Sequence, residues 1–221
     1  MSWFCQTKDM NRQVCAIGMV VILVVAVGVL FILGQEPINP PFDNEGRYDS
    51  TILNNMGVIY SNQSHIEHWN NGYSESDACP WGAAHNGLDY MFSNNSPVIA
   101  AAPGLVIGVE IDYLPNSIVY KVGVHIQFND SVWLEYGFEG NANETLRAQQ
   151  VAMLDVEVGD WVAKGDQIAR FLKPIEFDHV HFGVYLNDEA ICPRLVMGED
   201  DYNEIMLLIH SFQPTWELCY P

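Results

Sequence analysis

Short runs of apolar and β-branched residues, separated by turn residues, fill most of the chain between about residue 57 and residue 185. The clearest runs are SPVIAAAPGLVIGVEI (96–111), SIVYKVGVHIQF (117–128), SVWLEYGF (131–138) and FDHVHFGVY (177–185). Runs of this length and composition are typical of β-strands. The pair Asn129-Asp130 between two of them predicts a hairpin. The pattern therefore predicts a mainly β domain, an antiparallel sandwich or barrel-like fold.

One helix is predicted after the last of these strands. Asp200 or Asp201 is suited to cap its first turn, and Pro214 cannot continue it. Apolar residues recur at helical spacing in between, at Tyr202, Ile205, Leu208, Ile209 and Phe212. The domain is therefore expected to carry a short C-terminal helix.

A different pattern occupies residues 16–34 (AIGMVVILVVAVGVLFILG), which include no charged side chain. As a helix this block would be roughly 28 Å long, close to the hydrocarbon thickness of a bilayer. Lys8 and Arg12 precede the block and Glu36 follows it, so the positive-inside rule leaves the N-terminus in the cytoplasm. A cleaved signal peptide is the alternative, although no small-x-small cleavage motif follows Phe31.

These features predict four segments. Residues 1–15 form a cytoplasmic tail, 16–34 a transmembrane signal anchor in contact with the lipid bilayer, 35–55 a stalk rich in Pro, Asn and Asp, and 56–221 an extracytoplasmic domain. The expected location is the cell membrane, crossed once.

The charge of the chain narrows the classes of partner. Nine Lys and Arg residues stand against 28 Asp and Glu residues, which gives a formal net charge of −19. A chain this acidic lacks the basic surface of a nucleic-acid-binding protein, so no nucleic-acid partner is expected.

Three of the five cysteines, Cys79, Cys192 and Cys219, fall in the predicted extracytoplasmic domain, where disulfides persist. Three cysteines allow one bridge and one spare thiol. The preferred pair is Cys192 with Cys219, and the alternative is Cys79 with Cys192.

Two histidine-containing strings carry the candidate chemistry. The first is the H-x-G-x-D string from His85 to Asp89, and the second is His179-Val180-His181. Alternate residues of a strand share a face, so His179 and His181 are expected side by side, with Val180 facing the core. Two imidazoles joined by a histidine and an aspartate from another strand form a set that zinc accepts.

These strings, together with SPVIAAAPGLV and VGDWVAKGDQIA, come in the order seen in the lysostaphin/LytM-type zinc endopeptidases, and the chain resembles that family over residues 80–185. The resemblance implies a duplicated hybrid motif domain, a small antiparallel β-fold. It also implies that His85, Asp89 and His181 bind Zn²⁺ and that His179 is the general base beside the metal-activated water.

The chain departs from the family at one position. The family usually has a second active-site histidine in a Y-x-H-L string, and the matching stretch here places Phe138 at that histidine. Phenylalanine can neither donate a hydrogen bond nor relay a proton. His125, on the preceding strand, is a possible substitute if the hairpin register turns it to the same face.

The expected function is that of a membrane-anchored zinc metalloendopeptidase that cleaves an envelope peptide or a peptidoglycan-like substrate. The alternative is a weakened or inactive module of the same fold that binds a peptide, a glycan or a partner protein at the envelope.

Overall fold

A computed structural model describes residues 53–114 and 119–221. The predicted cytoplasmic tail, the predicted membrane span (16–34) and nearly all of the predicted stalk lie outside these residues. Within the described ranges, no helix is long and apolar enough to cross a membrane. Leu53, assigned to the stalk by the sequence, is 3% exposed and belongs to the hydrophobic core, so the packed domain begins by that residue.

The described residues form twelve strands, two α-helices and two short 3-10 helices, Gln63–His65 and Pro193–Leu195. The strands are β1 (Ile66–Trp69), β2 (Tyr73–Ser74), β3 (Leu88–Phe92), β4 (Pro97–Ile99), β5 (Gly104–Leu114), β6 (Val119–Gln127), β7 (Val132–Asn141), β8 (Trp161–Val162), β9 (Gln167–Arg170), β10 (His179–Leu186), β11 (Glu189–Ala190) and β12 (Cys219–Tyr220). The helices are α1 (Glu144–Val151) and α2 (Glu199–Phe212).

One antiparallel sheet dominates the domain, with the strand order β1-β3-β10-β7-β6-β5-β8 and β11 paired to β10. Two small sheets accompany it, β4 with β9 and β2 with β12. The prediction of a mainly β, antiparallel domain is therefore confirmed. The predicted run 96–111 is divided between β4 and β5, which belong to different sheets.

The two faces of the main sheet differ in chemistry because alternate residues of each strand point to opposite sides. One face carries the core, which includes fully buried side chains from four neighbouring strands: Tyr90, Phe92, Val122, Val124, Ile126, Leu134, Tyr136, Phe138, Val180, Phe182 and Val184. The other face is polar in its centre. The expectation that Val180 faces the core is confirmed, and Phe182 and Val184 face the core as well.

The β6–β7 connection is a hairpin, as the sequence predicts, but its turn has three residues rather than two. The backbone N–H of Phe128 donates to the carbonyl of Val132, and the Asn129 side chain accepts from the N–H groups of Ser131 and Val132. A two-residue turn at 129–130 would set Phe138 opposite Lys121. The observed register pairs Phe138 with Val122 and Lys121 with Glu139.

The sequence pattern predicted one of the two helices. Helix α2 lies where it was predicted and buries Ile205 and Ile209, but its N-cap is Gly198 rather than Asp200 or Asp201. Helix α1 was not predicted, because ETLRAQQV has a weak apolar stripe and buries only Gln150. The Asn143 side chain caps it.

A disulfide joins Cys192 to Cys219, which confirms the preferred pair, and Cys79 is a free thiol. The bridge holds the last residues of the chain beside β2, because β12 pairs with that strand in parallel. The N–H of Tyr73 also donates to the carbonyl of Leu218 at 3.0 Å. The segment after α2 therefore supports the short strand that precedes His85.

Candidate active site

A cleft of about 350 Å³ lies on the polar face of the main sheet, at the level where β3, β10, β7 and β6 are neighbours. All ten of its lining residues are polar or charged. The lining residues are Asn70, Asn71, His85, Asn86, Asp89, Lys121, Glu135, Glu139, His179 and His181. The structure thus brings the two histidine strings of the sequence into one cleft.

Three of these residues, His85, Asp89 and His181, form a group whose ligand atoms lie within 4.8 Å of one another. Asp89 Oδ1 is 3.2 Å from His85 Nε2 and 3.0 Å from His181 Nδ1. The register between β3 and β10 sets Asp89 directly opposite His181. Two imidazoles and a carboxylate around one point fit zinc, and such a set leaves a fourth position open.

His85 is held in an orientation that suits a metal ligand. Its N–H and carbonyl both bond to the backbone of Ser74, and its Nδ1 donates to the carbonyl of Gly72 at 2.7 Å. Because a carbonyl only accepts, Nδ1 carries a proton, and Nε2 is the nitrogen left to bind a metal or to donate to Asp89. Nε2 lies 3.2 Å from Asp89 Oδ1.

The glycine of the H-x-G-x-D string has a steric role. A Cβ on Gly87 would come within 2.6 Å of the His181 ring and of the Phe182 carbonyl. No side chain fits there without displacing the imidazole. Gly87 is therefore what allows His181 to lie flush against the loop that carries His85.

His85 and Asp89 each favour the charged form of the other. Burial would raise the pKa of Asp89, but hydrogen bonds with His181 and His85 outweigh it and hold this pKa well below its usual range. Burial would likewise lower the pKa of His85, and Asp89 outweighs this and raises it. Asp89, 3% exposed, is therefore a buried anion at the centre of the cleft.

His179, the predicted general base, lies in the same cleft but outside the group of three. Its Nδ1 donates to the carbonyl of Phe177 at 3.1 Å, which leaves the lone pair on Nε2. Nε2 lies 3.6 Å from Asp89 Oδ1 and 3.7 Å from Glu139 Oε2. The accepting nitrogen thus faces the space beside the three candidate ligands.

Phe138 does not occupy the active-site position that the family resemblance gave it. Its side chain is fully buried on the core face, opposite Val180, and so points away from His179. The residue opposite His179 on β7 is Glu139, which lines the cleft. The one-residue difference follows from the pairing of β7 with β10, which sets Glu139 rather than Phe138 opposite His179.

His125 shares the polar face of the sheet but is not among the residues that line the cleft. It lies opposite Glu135, its Nδ1 is 3.9 Å from Glu110, and its ring packs against Trp133. The residue of β6 level with His179 is Lys121, which pairs with Glu139 across the strands.

Sequence reasoning missed Lys121, Glu135 and Glu139, which form the wall of the cleft away from the His85 loop. Lys121 Nζ donates to Glu135 Oε1 at 2.5 Å, and Tyr185 donates to the other oxygen of that carboxylate at 2.9 Å. Asn86 in turn donates to the Tyr185 hydroxyl. These residues belong to strands whose register is not encoded in any local motif, so only the alternation along β6 and β7 could have suggested them.

A polar cleft with a convergent His-His-Asp group and a nearby imidazole base is typical of a metal-dependent hydrolase. The sequence model of peptidase family M23 matches residues 83–193, half of the chain, and this match includes every residue of the His-His-Asp group. The chain belongs to peptidase family M23. The prediction of that family resemblance is therefore confirmed.

Solved structures with a similar fold come from several bacteria. A zinc-containing peptidase from Vibrio cholerae has 18% identity and a TM-score of 0.45, with 64% of this chain and 39% of that chain covered. Csd3 from Helicobacter pylori has 22% identity, a TM-score of 0.45, and coverage of 73% and 41%. The antimicrobial peptidase lysostaphin from Staphylococcus simulans has 19% identity, a TM-score of 0.44, and coverage of 62% and 52%.

The chain spans less than two thirds of the length of each of these three proteins. No curated protein sequence matches it.

Proposed function

We propose that this chain is a zinc-dependent endopeptidase that hydrolyses peptide bonds in peptidoglycan-like peptides of the cell envelope. The observation that carries the proposal is the convergence of His85, Asp89 and His181 on one point, with the lone pair of His179 facing the same cleft. Membership of peptidase family M23 supports the choice of a peptide as substrate.

In this proposal, zinc binding and proton transfer belong to different residues. His85, Asp89 and His181 would hold the zinc ion, which when bound supplies an activated water and polarises the peptide carbonyl. His179 Nε2 accepts the proton of the attacking water, and the Phe177 carbonyl keeps the ring in the tautomer that can do so. The proton is then available to the departing amine.

The location remains a proposal that follows from the sequence: residues 16–34 anchor the chain in the membrane, and residues 56–221 act outside it. The Cys192–Cys219 disulfide supports this topology, because such bonds persist in oxidising compartments. A protease added to intact cells or spheroplasts should degrade the domain. Protection of the domain, or its release in soluble form, would contradict the anchor.

The test of the activity uses the full-length protein, purified in detergent and loaded with zinc. It is incubated with purified peptidoglycan and with a mixture of glycine-containing and stem-type peptides, and the products are identified by mass spectrometry. We expect new amino and carboxyl termini that disappear with a chelator and return with zinc. A folded, zinc-loaded protein that cleaves none of these substrates would contradict the proposal.

A second candidate function is a module of the same fold that retains the metal and binds an envelope peptide without turning it over. The observation in its favour is Glu139, a carboxylate, at the position opposite His179. In the same experiment this function would give peptide binding by calorimetry and no cleavage.

A further inference from the structure

The cation in the cleft is Lys121, and it lies close to the candidate metal ligands. Lys121 lies on β6, and His181 lies on β10, with β7 between these strands. On β7, Gly137 lies opposite His181 on one side and opposite Gly123 of β6 on the other. A Cβ on Gly137 would be 3.1 Å from Lys121 Cδ and 3.5 Å from His181 Cβ. The stem of Lys121 therefore crosses the place that Gly137 leaves empty and runs beside His181.

The ammonium group is fixed at the end of that stem. Its side chain is 18% exposed, and it donates to Glu135, which is itself buried. Glu135 is held from the other side by Tyr185, whose ring stacks on Trp133 with a centroid separation of 3.9 Å. A carboxylate anchored at both oxygens holds Lys121 in one position before any substrate arrives.

Lys121 keeps both its charge and unused donors. Burial would lower its pKa, but the hydrogen bond and charge of Glu135, with further help from Glu139, outweigh burial and raise it. An ammonium has three N–H donors, and the bond to Glu135 uses one. A preoriented cation with donors to spare is suited to stabilise a negative charge that develops during a reaction.

We propose that Lys121 is a catalytic residue that donates a hydrogen bond to the carbonyl oxygen of the scissile peptide as that oxygen becomes negative. This inference rests on the proposed endopeptidase function. In the step concerned, the water oxygen forms a bond to the carbonyl carbon, the C=O electron pair moves to oxygen, and His179 takes the water proton. Lys121 keeps its own proton throughout. When the C–N bond breaks, the pair returns to form C=O and the interaction weakens.

The alternatives at this wall are less suited to the role. Glu135 and Glu139 are carboxylates and would repel an oxyanion, and Tyr185 already donates its hydroxyl proton to Glu135. His125 is not among the lining residues.

The experiment compares Lys121→Met with wild type, and Lys121→Met/Glu135→Gln with Glu135→Gln. The double variant is needed because Lys121→Met alone strands a buried carboxylate and can unfold the domain. We expect kcat on a cleaved peptide to fall by about 10²–10³-fold with KM changed less than about threefold, because the contact forms as charge develops. Zinc content should not change.

Lys164→Met is the matched control, since Lys164 makes an ion pair with Asp201 outside the lining of the cleft. Its kcat should equal that of wild type. Lys121→Arg should restore part of the lost rate, because it restores a cationic donor. A folded, zinc-loaded double variant whose kcat lies within threefold of Glu135→Gln would overturn the role of Lys121.

A readout without turnover separates this inference from the proposed function. A phosphinic peptide, which is tetrahedral and anionic, should bind the zinc-loaded Lys121→Met/Glu135→Gln protein about 10²-fold more weakly than it binds Glu135→Gln, as measured by calorimetry. Equal affinity would contradict the inference even if the wild type cleaves peptides. Failure of the wild type to cleave any peptide contradicts the proposed function instead.

Discussion

Glu139 lies directly opposite His179 on the neighbouring strand, and their side chains approach to 3.7 Å between Oε2 and Nε2. Phe138, one residue earlier, is on the other face of the sheet, fully buried opposite Val180. Glu139, rather than Phe138, is therefore the β7 residue that lies beside the proposed base in the cleft.

Because Phe138 and Glu139 face opposite sides of the sheet, a histidine should have different effects at the two positions. Phe138→His places a polar ring in the core and should lower the free energy of unfolding by about 2–5 kcal/mol, with no gain in activity. Glu139→His places the ring in the cleft and should leave the melting temperature nearly unchanged. Thermal melting and peptide cleavage of both variants check this. A faster, stable Phe138→His protein would show that the register of β7 is wrong.

The metal assignment predicts an unequal response among four histidines. His85→Ala and His181→Ala should lose most of the bound zinc, because each removes one of three ligands. His179→Ala should keep most of it, since this residue is proposed as the base. His210→Ala, on helix α2, is the control. Zinc is measured per mole of purified protein by atomic emission, and equal loss in all of the first three variants would show that ligand and base are misassigned.

The space at Gly87 predicts that one methyl group disturbs the metal site. Gly87→Ala pushes against the His181 ring and should weaken zinc binding by at least about 10-fold, in the range of changes that misorient a ligand. Gly108→Ala is the matched control, because a Cβ there makes only ordinary contacts from 3.4 Å outwards. Zinc affinity from competition with a chelator checks the pair. Unchanged affinity in Gly87→Ala would contradict the packing described for His181.

Asp178 predicts a pH dependence of stability. Burial raises its pKa to about 6, and its Oδ2 accepts from the N–H of Ile175 in the turn before His179. The native state therefore binds this proton more tightly than the unfolded chain, whose carboxyl titrates near 3.8. The resulting contribution is fully present below that lower value and is lost as the pH rises through about 6.

The isosteric variant Asp178→Asn removes this dependence. It should be more stable than wild type at pH 7, by about 2–3 kcal/mol, and the difference should disappear near pH 4. Urea unfolding at pH 4, 5, 6 and 7 measures it. A wild-type protein that gains stability over the variant as the pH rises would reverse the sign and contradict the assignment.

The disulfide predicts a link between stability and the metal site. Replacing Cys192 and Cys219 by serine removes a crosslink across 27 residues, which should cost roughly 3 kcal/mol. It should also weaken zinc binding, because β12 supports β2, whose Ser74 holds the backbone of His85. Cys79→Ser is the control. Calorimetric melting and zinc titration test both effects. Unaltered zinc affinity in the double variant would contradict the predicted effect of the disulfide on the metal site.

The sequence predicts those features of the fold and the site that depend only on residues close together in the chain. His179 and His181 share a face because they are two residues apart on one strand, and that holds whatever the neighbours do. The H-x-G-x-D string and the helix after residue 198 are equally local. These features required no knowledge of strand pairing.

What the sequence could not predict depends on register. Whether Phe138 or Glu139 faces the cleft is set by the register between β7 and β10, which no local motif marks. The β6–β7 turn, where the Asn129 side chain bonds to two backbone N–H groups, sets Lys121 opposite Glu139 and so level with His179, and no motif in β6 marks this. Helix α1 was missed for a different reason, since it buries almost no apolar surface.

The pairing of β2 with β12 has a consequence for the order in which the protein is made. A strand of two residues has little stability of its own, and β2 is completed by residues near position 220. The ribosome reaches those residues long after it has added His85 and Asp89. We therefore expect the segment that carries His85 to remain without a fixed geometry until residues 219–220 have been made. The cleft of this fold can assemble only once those residues are free to pair with β2.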